Sequence, residues 1–487
     1  MKPSAESTIE QLIRQPEGKQ LEFKRDLSSP KPLLRTLVAF ANTAGGQLII
    51  GVSDNKEVLG VEDPLTEEER LANLIADSIT PRLVPSIEMV TVEGKTLLII
   101  EVYLSNTRPH WLTALGLEQG VMVRLGSSNR QAGLELIADL QRSVNNQYFD
   151  EMPMPELCVD DVDIQAAQQL FADKRLLNQQ ALLSLKLLTQ YQGRIVPTKG
   201  AVLLFGKERS FHFNDAWIQC GRFIGTDRTN IFDHIELYDH LPQAVESIML
   251  FLKKHAMRGA DFSEMRRKDV WSIPLGILRE VVINALVHAD YSQRGMPMRV
   301  AFYDDRIEVE SPGLLLPGMT IEDMKRGTSM IRNPIIARVF RELDLIEQWG
   351  SGVKGIFNEA KELGLPEPDI EEIAMRVRVT VWLAKAIPVP KPEKGARAQS
   401  RPESRPESRP ESDLATKILE TLADQPLGKA DIAKAIGHKG VSGQLKKQVK
   451  WLQEQELIEM TLPDKPNSRL QKYRLTDKGL QNLKDLQ

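Results

Sequence analysis

The tetrapeptide Arg-Pro-Glu-Ser occurs three times in succession in residues 401–412. Proline at every fourth position prevents helical and sheet hydrogen bonding, and the repeat offers no apolar side chain to a core. We therefore expect residues 386–412 to form a solvated, extended, disordered linker. Such a linker excludes one continuous globular fold, because it separates a body at residues 1–385 from a tethered domain at residues 413–487.

The charge balance sets a second limit. The chain has 487 residues, enough for about three domains, and its 63 basic and 67 acidic side chains give a net charge of −4. A protein that coats nucleic acid is usually basic overall, so that class is disfavoured, although a local basic module is compatible with this average.

The two cysteines exclude a disulfide scaffold and a cysteine-based zinc finger. Since residues 1–15 contain no apolar stretch typical of a signal peptide and the longest apolar runs are too short to span a bilayer, we expect a cytoplasmic protein with no membrane partner.

Short β-branched runs alternate with amphipathic segments through the body. Strands are predicted at residues 47–54, 96–104, 202–206, 218–225, 299–303 and 306–310, and helices at residues 30–44, 67–79, 232–255 and 277–290. The fold class is therefore multidomain, α/β and α+β. We place the domain limits at residues 1–140, 150–269 (a connecting α/β segment) and 270–385.

Five dispersed motifs mark the N-terminal domain. They are EGKQLEFK at residues 17–24, AFANTAGG at 39–46, GVSD at 51–54, RPHW at 108–111 and GVMVRLGSSNRQA at 120–132. In this order they resemble the Schlafen AlbA-like domain, and the resemblance implies that this domain binds DNA or RNA. Charged and hydroxyl side chains suited to a phosphate backbone are Lys24, Arg124, Ser127, Ser128 and Arg130.

A nuclease is the alternative for this domain. Some Schlafen relatives are metal-dependent ribonucleases with a Glu-x-x-x-x-Glu pair and a later Asp, and Glu17, Glu22 and Asp54 have that arrangement here. Clustered carboxylates can bind Mg²⁺ or Mn²⁺ and activate a water molecule at a phosphodiester. The competing structural interpretation is an ion pair between Glu22 and Lys24, with Asp54 ending a turn.

Three polar residues occur at four-residue spacing within a largely apolar predicted helix. Glu280, Asn284 and His288 lie on one face of that helix. Burying such groups without partners costs several kcal/mol by typical transfer estimates, so partners are required. A ligand, a metal ion or neighbouring backbone could supply them.

Glu-x-x-x-Asn on a helix resembles the N box of the GHKL ATPases. The resemblance extends over residues 270–385 through the ordered motifs ExxxNAxxH, SPG, RNP and GSG. It implies ATP and Mg²⁺ as cofactors, a GHKL-like α/β sandwich, Asn284 as the Mg²⁺ ligand and Glu280 as the candidate general base of a weak ATPase. Nucleotide binding without turnover is the alternative. The implied cofactor contacts are Asn284, His288, Pro312, Gly313, Arg332, Asn333, Gly350, Ser351 and Gly352. Most GHKL enzymes carry an Asp-x-Gly-x-Gly box, whereas residues 310–313 read Glu-Ser-Pro-Gly, which puts the adenine contact in question.

The C-terminal domain at residues 413–487 reads as three helices followed by a hairpin. That order resembles bacterial winged helix-turn-helix regulators, whose second helix of the pair enters the major groove. Between Lys429 and Lys450 six lysines oppose one acid, Asp431, which gives a local charge of +5. Candidate DNA contacts are Ser442, Gln444, Lys446, Lys447 and Arg469. Docking of a protein partner is the alternative.

Together these patterns predict a nucleotide-responsive DNA-binding transcriptional regulator that forms a homodimer. The runner-up is a Schlafen-like, metal-dependent nuclease that acts on RNA or single-stranded DNA, with phage defence as its expected role. A scaffold whose C-terminal domain binds protein is the third interpretation.

Overall fold

The computed structural model describes residues 5–256, 258–261, 268–346, 352–383, 413–423, 425–436, 445, 448–449, 452–453, 457–461 and 472–485. The chain divides into two compact units, Met1–Lys391 and Pro392–Gln487. The predicted linker at residues 386–412 lies outside the described residues. Within the described residues no helix has both the length and the apolar character needed to cross a membrane.

The N-terminal part of the first unit is built on a four-stranded sheet. The strands of this N-terminal part are β1 (Leu21–Lys24), β2 (Gly46–Ile50), β3 (Ile79–Thr80), β4 (Ser86–Val92), β5 (Lys95–Val102), β6 (Trp111–Leu112), β7 (Met122–Leu125) and β8 (Ser128–Gln131). Its helices are α1 (Ala5–Ile13), α2 (Pro30–Thr43), α3 (Pro64–Ser78), α4 (Gly116–Gly120) and α5 (Leu134–Val144). The sheet order is β1-β2-β5-β4, in which β1 and β2 are parallel and the other pairs antiparallel. Strands β7 and β8 form a separate hairpin.

Alternation along β2 and β5 gives this sheet two apolar faces. Leu48 and Ile50 belong to the core formed with α2 and α3, while Ile49 belongs to the smaller core that includes Ile9 and Ile13 of α1. Because side chains alternate across a strand, a run of apolar residues can serve both layers. The predicted helices at residues 30–44 and 67–79 are confirmed by α2 and α3, and the strand predicted at residues 96–104 by β5.

The rest of the first unit surrounds a six-stranded sheet. Its strands are β9 (Leu188–Tyr191), β10 (Arg194–Pro197), β11 (Ile218–Phe223), β12 (Ile231–Leu237), β13 (Arg258–Asp261), β14 (Lys268–Trp271), β15 (Met298–Phe302), β16 (Arg306–Pro312), β17 (Asp369–Ile373) and β18 (Arg376–Trp382). Its helices are α6 (Ile164–Leu170), α7 (Gln179–Ser184), α8 (Lys199–Phe205), α9 (Arg209–His212), α10 (Leu241–His255), α11 (Leu275–His288), α12 (Ile321–Arg326), α13 (Pro334–Glu342) and α14 (Gly352–Glu362). Short 3₁₀ turns occur at Thr113–Leu115, Phe149–Glu151 and Val159–Asp161.

The order of the large sheet is β12-β11-β15-β16-β18-β17. The domain limit predicted between residues 269 and 270 therefore runs through a sheet, because β11 of the connecting segment pairs in parallel with β15. Two local predictions in this segment were wrong. Residues 199–205 form helix α8 instead of a strand, since the Thr198 side chain accepts from the Ala201 N–H and caps a helix that is buried from Gly200 to Phe205. Residues 231–237 form strand β12, so the helix predicted at residues 232–255 begins only at Leu241.

The two faces of the large sheet differ in polarity. Ile307 and Val309 of β16 lie in the main apolar core together with α10 and α11. The alternate residues Glu308 and Glu310 form ion pairs with Arg228, and Arg378 of the neighbouring strand pairs with Glu310 at 2.8 Å. This alternation fixes the orientation of β16 and turns Ser311 toward α11.

The second unit has its own small core. Its described elements are α15 (Asp413–Ala423), α16 (Lys429–Ala435), β19 (Ile458–Met460), β20 (Tyr473–Leu475) and α17 (Asp477–Asp485). The predicted hairpin is confirmed by antiparallel pairing of β19 with β20, and Leu427 bridges to Tyr473 from the other side. Helix α17 was not predicted. The sequence also predicts a helix at residues 441–454 as the second of the helix-turn-helix pair, and most of these residues lie outside the described part of the chain.

Candidate nucleotide and nucleic-acid sites

A cavity of about 260 Å³ lies beside α11. Glu280, Asn284 and His288 all line it, so the predicted face of this helix is confirmed as one wall. Opposite lie Val309 and Ser311 of β16 and two residues of β18. The remaining walls are formed by residues 314–316, 319, 324 and 327–332, by Arg341 of α13 and by the first turn of α14. The cavity is thus a predominantly apolar pocket with a few polar groups, which is typical of small-molecule sites.

Asn284 and Glu280 form a hydrogen-bonded pair on this wall. The Asn284 Nδ2 donates to Glu280 Oε1 at 2.9 Å, as the four-residue spacing on a helix allows. This orientation leaves the amide oxygen of Asn284 as the group available to a cation, and an amide oxygen is a neutral, hard ligand of the kind Mg²⁺ accepts. The arrangement therefore fits a bound Mg²⁺ at Asn284 with a carboxylate beside it.

His288 lies one turn further along the same wall. Burial, with a smaller contribution from the charge of Arg332, lowers the pKa of His288 to about 4. The imidazole is consequently neutral at physiological pH. It can accept or donate one hydrogen bond to a ligand, but it cannot supply a positive charge to a phosphate.

Arg332 lines the cavity but is held by the protein. Its Nη1 donates to Asp139 Oδ2 of α5 at 2.7 Å, and its Nη2 donates to the Leu314 carbonyl at 2.6 Å. The side chain is 7% exposed, and Asp290 lies 3.8 Å away. Its charge is thus compensated before any ligand binds, and Arg332 connects the cavity wall to α5.

Asn333, Pro312 and Gly313 do not line the cavity. Asn333 Nδ2 donates to the carbonyls of Val287 and Ala289, so this residue ends α11 instead of contacting a cofactor. Gly313 has φ +97°, and a Cβ there would lie 2.6 Å from the Asp290 Cβ. The structure thus places these three residues outside the cavity lining, and the Asp290 N–H donates to the Pro312 carbonyl, which secures the end of β16 against the turn after α11.

Other residues supply polar groups that the motifs did not identify. These are Thr328, Ser329 and Arg341, which line the cavity together with Gly352, a motif residue at the start of α14. Gly350 and Ser351, which were predicted beside Gly352, lie outside the described residues. No local pattern marks Thr328, Ser329 or Arg341, since they reach the cavity only when residues 314–332 fold over it.

The base-recognition end departs from the GHKL pattern. Ser311 lines the cavity on β16, where a hydroxyl replaces the carboxylate of the Asp-x-Gly-x-Gly box. Glu280 is the one carboxylate among the described residues that line the cavity. The cavity therefore fits a Mg²⁺-nucleotide by its amide oxygen and hydroxyls, with no carboxylate at Ser311 to receive an exocyclic amine.

The three carboxylates of the nuclease hypothesis have separate roles. Glu17 Oε1 accepts from the Phe23 N–H at 3.0 Å, and Glu22 forms ion pairs with Arg124 and Lys24. Asp54 is exposed. Among the described residues, which include all three, no group of three or more His, Cys, Asp or Glu side chains could hold a metal ion. The structural interpretation of Glu22 is thus observed, and this conformation does not assemble the triad.

Arg124 is a structural residue. Its guanidinium, 1% exposed, pairs with Glu22 at 2.5 Å and donates to the Gly18 carbonyl and to Asn129 Oδ1. A buried arginine with these partners cannot reach a nucleic-acid phosphate, so its predicted contact is wrong. Lys24 is half-buried against Glu22, whereas Ser127, Ser128 and Arg130 are exposed on the β7–β8 hairpin.

Several exposed cations lie close in sequence to the residues that bind Arg124. A hydrogen-bonded chain runs from Glu22 through Arg124 to Asn129, whose Nδ2 donates to Thr36 Oγ1 at 2.9 Å. Arg35 and Arg130 directly adjoin Thr36 and Asn129 in sequence, Arg25 is three residues after Glu22, and Lys31 is one helical turn before Arg35; all four are exposed. We call these four residues the basic surface. Asp26 is the one acid within residues 24–35.

In the second unit Lys429 and Lys434 are exposed on α16. The predicted DNA contacts of this unit, Ser442, Gln444, Lys446, Lys447 and Arg469, lie outside the described residues. The local positive charge between Lys429 and Lys450 is thus a property of the sequence, with two of its six lysines placed by the structure.

Three parts of the chain match known families. Residues 17–133 match the Schlafen AlbA_2 domain, residues 295–381 match HATPase_c_4, a family described as putative ATP-dependent DNA helicase recG C-terminal, and residues 414–476 match the C-terminal domain of Fic-like proteins (filamentation induced by cAMP). No curated protein matches the chain.

Two solved structures match this chain. The N-terminal domain of a RecG-related protein from Nitrosomonas europaea is 30% identical, covering 27% of this chain and 95% of that one, with a TM-score of 0.22. The DIP2311 protein from Corynebacterium diphtheriae is 18% identical, covering 96% of this chain and 99% of that one, with a TM-score of 0.40.

The chain thus has a multidomain α/β fold that contains one region matching the Schlafen AlbA_2 domain and one region matching HATPase_c_4. The Schlafen AlbA-like and GHKL-like resemblances inferred from the motifs are confirmed by these matches, and the winged helix-turn-helix stays a prediction.

Proposed function

We propose that this protein is a nucleotide-responsive, DNA-binding transcriptional regulator. The observation that carries the proposal is the cavity beside α11, in which Asn284 and Glu280 form a hydrogen-bonded pair on a wall shared with Ser311. A pocket with one amide oxygen, several hydroxyls and mostly apolar walls suits a Mg²⁺-bound nucleotide.

The residues of this chain would divide the work as follows. Asn284 would hold the Mg²⁺, and Thr328, Ser329, Arg341 and the first turn of α14 would contact phosphates. Magnesium would neutralise phosphate charge when bound. Glu280 is placed to accept a proton from water, so slow ATP turnover is compatible with the site, and binding alone is sufficient for regulation.

DNA is the proposed partner of both units. The basic surface of the first unit presents four exposed cations supported by a buried ion pair. In the second unit the hairpin β19–β20, the bridge at Leu427 and helices α15 and α16 support a winged helix-turn-helix. Two DNA-binding elements suit a homodimer on a palindromic site. Dimerisation stays a prediction, which light scattering with and without nucleotide would test.

The nuclease is the second candidate, with RNA or single-stranded DNA as substrate. Its support is the Glu-x-x-x-x-Glu spacing within the matched Schlafen domain. Glu22 would first have to leave Arg124, and breaking a buried ion pair costs about 3–5 kcal/mol. Metal-dependent cleavage of labelled RNA that is lost in Glu22→Ala, while the variant keeps its fold, would favour this candidate over the regulator.

The direct test of the proposed cavity function is calorimetric titration with a non-hydrolysable ATP analogue and Mg²⁺. We expect binding by the wild type and a loss of about tenfold or more in Asn284→Ala, because the cation loses its amide ligand. Asn230→Ala, an exposed asparagine outside the cavity, is the control and should bind as the wild type does. Equal affinity of wild type and Asn284→Ala would contradict the assignment.

A further inference from the structure

We infer that residues 314–319, which form one wall of the cavity, transmit cavity occupancy to the basic surface of the N-terminal domain. We call residues 314–319 the strap. This inference rests on the proposed function and adds the regulation of its site. Leu314, Leu315, Leu316 and Met319 line the cavity, and separate contacts hold the strap to the N-terminal domain.

The first contact is apolar. Leu314 lies in a buried cluster with Val121 and Val123, around the start of the β7–β8 hairpin, and with Leu136 and Leu140 of α5. A close-packed cluster of this kind transmits displacement, because filling or emptying space at one member shifts its neighbours. A ligand that moves Leu314 therefore acts on the base of the hairpin that carries Arg130.

The second contact is an ion pair. The Leu315 N–H donates to Glu372 Oε1 at 2.8 Å, and Glu372 Oε2 lies 2.6 Å from Lys19 Nζ. These two side chains are 4% and 13% exposed. Lys19 directly follows Gly18, whose carbonyl accepts from Arg124 Nε at 3.0 Å.

The third contact is backbone to backbone. The Gly318 N–H donates to the Thr43 carbonyl at the end of α2 at 2.8 Å. The Thr43 hydroxyl in turn accepts from the Arg124 N–H at 2.9 Å. The second and third contacts thus reach Arg124 from different directions, one at the guanidinium and one at the main chain.

Arg124 is the centre of the chain that supports the basic surface. It binds Glu22 and Asn129, and Asn129 binds Thr36 of α2, beside Arg35. Displacing the strap would change the position of these supports and so the spacing of the exposed cations. A contiguous set of contacts is necessary for such coupling, and the energy of the coupling has to be measured.

Linkage sets the form of the effect. If nucleotide in the cavity changes the affinity for DNA by some factor, DNA changes the affinity for nucleotide by the same factor. Allosteric factors are typically about 5- to 150-fold. Cutting the Lys19–Glu372 contact should reduce this factor toward one and leave nucleotide affinity in the absence of DNA unchanged, since neither residue lines the cavity.

The test uses two variants of the full-length protein that change its net charge in opposite directions. Lys19→Ala removes a cation and Glu372→Gln removes an anion while keeping an oxygen for the Leu315 N–H. The affinity for a non-hydrolysable ATP analogue with Mg²⁺ is measured by calorimetry, with and without saturating duplex DNA. Lys254→Ala is the control, because it breaks the Lys254–Asp233 pair outside the strap.

We expect a factor of about fivefold or more in the wild type and in Lys254→Ala, and a factor near one in both Lys19→Ala and Glu372→Gln. A factor that survives in both strap variants would overturn the inference while nucleotide binding stands. A wild type that binds nucleotide with no effect of DNA would overturn it as well. A wild type that binds no nucleotide would overturn the proposed function and the inference together.

Discussion

The Arg332 guanidinium donates to the Asp139 carboxylate at 2.7 Å, across 193 residues of sequence. Asp139 also pairs with Arg142 on the same helix, and Arg332 also donates to the Leu314 carbonyl. This pair joins a wall of the cavity to the helix that follows the β7–β8 hairpin. Like the strap contacts, this ion pair connects the cavity wall to the N-terminal domain, but it does so through two side chains.

Breaking this pair should destabilise the first unit strongly. In Arg332→Ala the partly buried Asp139 carboxylate loses one of its two cationic partners. Removing one partner of a buried ion pair costs about 3–5 kcal/mol. Unfolding in urea, followed by tryptophan fluorescence, should show the midpoint of the first unit shifted to lower denaturant. Arg70→Ala, which removes an exposed pair with Glu67, should change stability by under about 1 kcal/mol. Equal shifts in the two variants would contradict the role assigned to Arg332.

Asp150 should make stability depend on pH. Burial raises the pKa of this carboxyl to about 7, although its Oδ2 accepts from the N–H groups of Ile335 and Ile336 at the start of α13. The folded state therefore holds a proton that the unfolded state has released above its ordinary pKa of 3.8. Unfolding is thus favoured as the pH rises from about 4 to 7, by at most about 4 kcal/mol.

The variant Asp150→Asn removes this titration and keeps an oxygen for the two N–H donors. Its melting temperature relative to the wild type should increase steadily from pH 4.5 to pH 7 and level off above that, as the pKa of about 7 requires. Asp160→Asn, at an exposed position, is the control. A difference in melting temperature between Asp150→Asn and the wild type that does not change with pH would show that Asp150 is ionised in the folded protein at low pH.

His288 should not make nucleotide affinity pH-dependent near neutrality. Its pKa of about 4 keeps the ring neutral at and above pH 6, so protonation contributes only in acid. Between pH 6 and 8 the affinity of wild type and His288→Gln should therefore show the same pH profile. A rise in wild-type affinity on acidification to pH 6 that disappears in His288→Gln would contradict the assignment.

The basic surface should contribute to nucleic-acid affinity through charge. Arg35→Ala and Arg130→Ala should each weaken DNA binding about equally across sequences and lower the salt slope by about one. Fluorescence anisotropy at several salt concentrations measures both quantities. Arg82→Ala, an exposed arginine outside the four, is the matched control. Unchanged slopes in Arg35→Ala and Arg130→Ala would place the DNA contact elsewhere.

The face of α11 was predictable because its spacing is local. Residues four apart lie on one side of a helix, so Glu280, Asn284 and His288 had to share a wall whatever the rest of the chain did. The alternating apolar pattern likewise predicted β5 and both strands of the β15–β16 hairpin. Family resemblance added the class of ligand, which spacing alone left open.

The roles of the arginines could not be predicted in the same way. A guanidinium suits a phosphate and a buried carboxylate equally well, and only the pairing of Arg124 with Glu22, 102 residues away, decides between them. Asn333 was similarly assigned to a cofactor, yet its partners are the carbonyls that end α11. Long-range contacts determine these roles, and no local pattern in the sequence encodes them.

The central claim is that cavity occupancy and DNA binding are linked. Anisotropy of a labelled duplex, titrated with wild-type protein in the absence and presence of a saturating ATP analogue with Mg²⁺, measures this most directly. We predict a change in DNA affinity of about fivefold or more, lost in Asn284→Ala. Identical DNA affinity with and without a nucleotide that calorimetry shows to be bound would contradict the account.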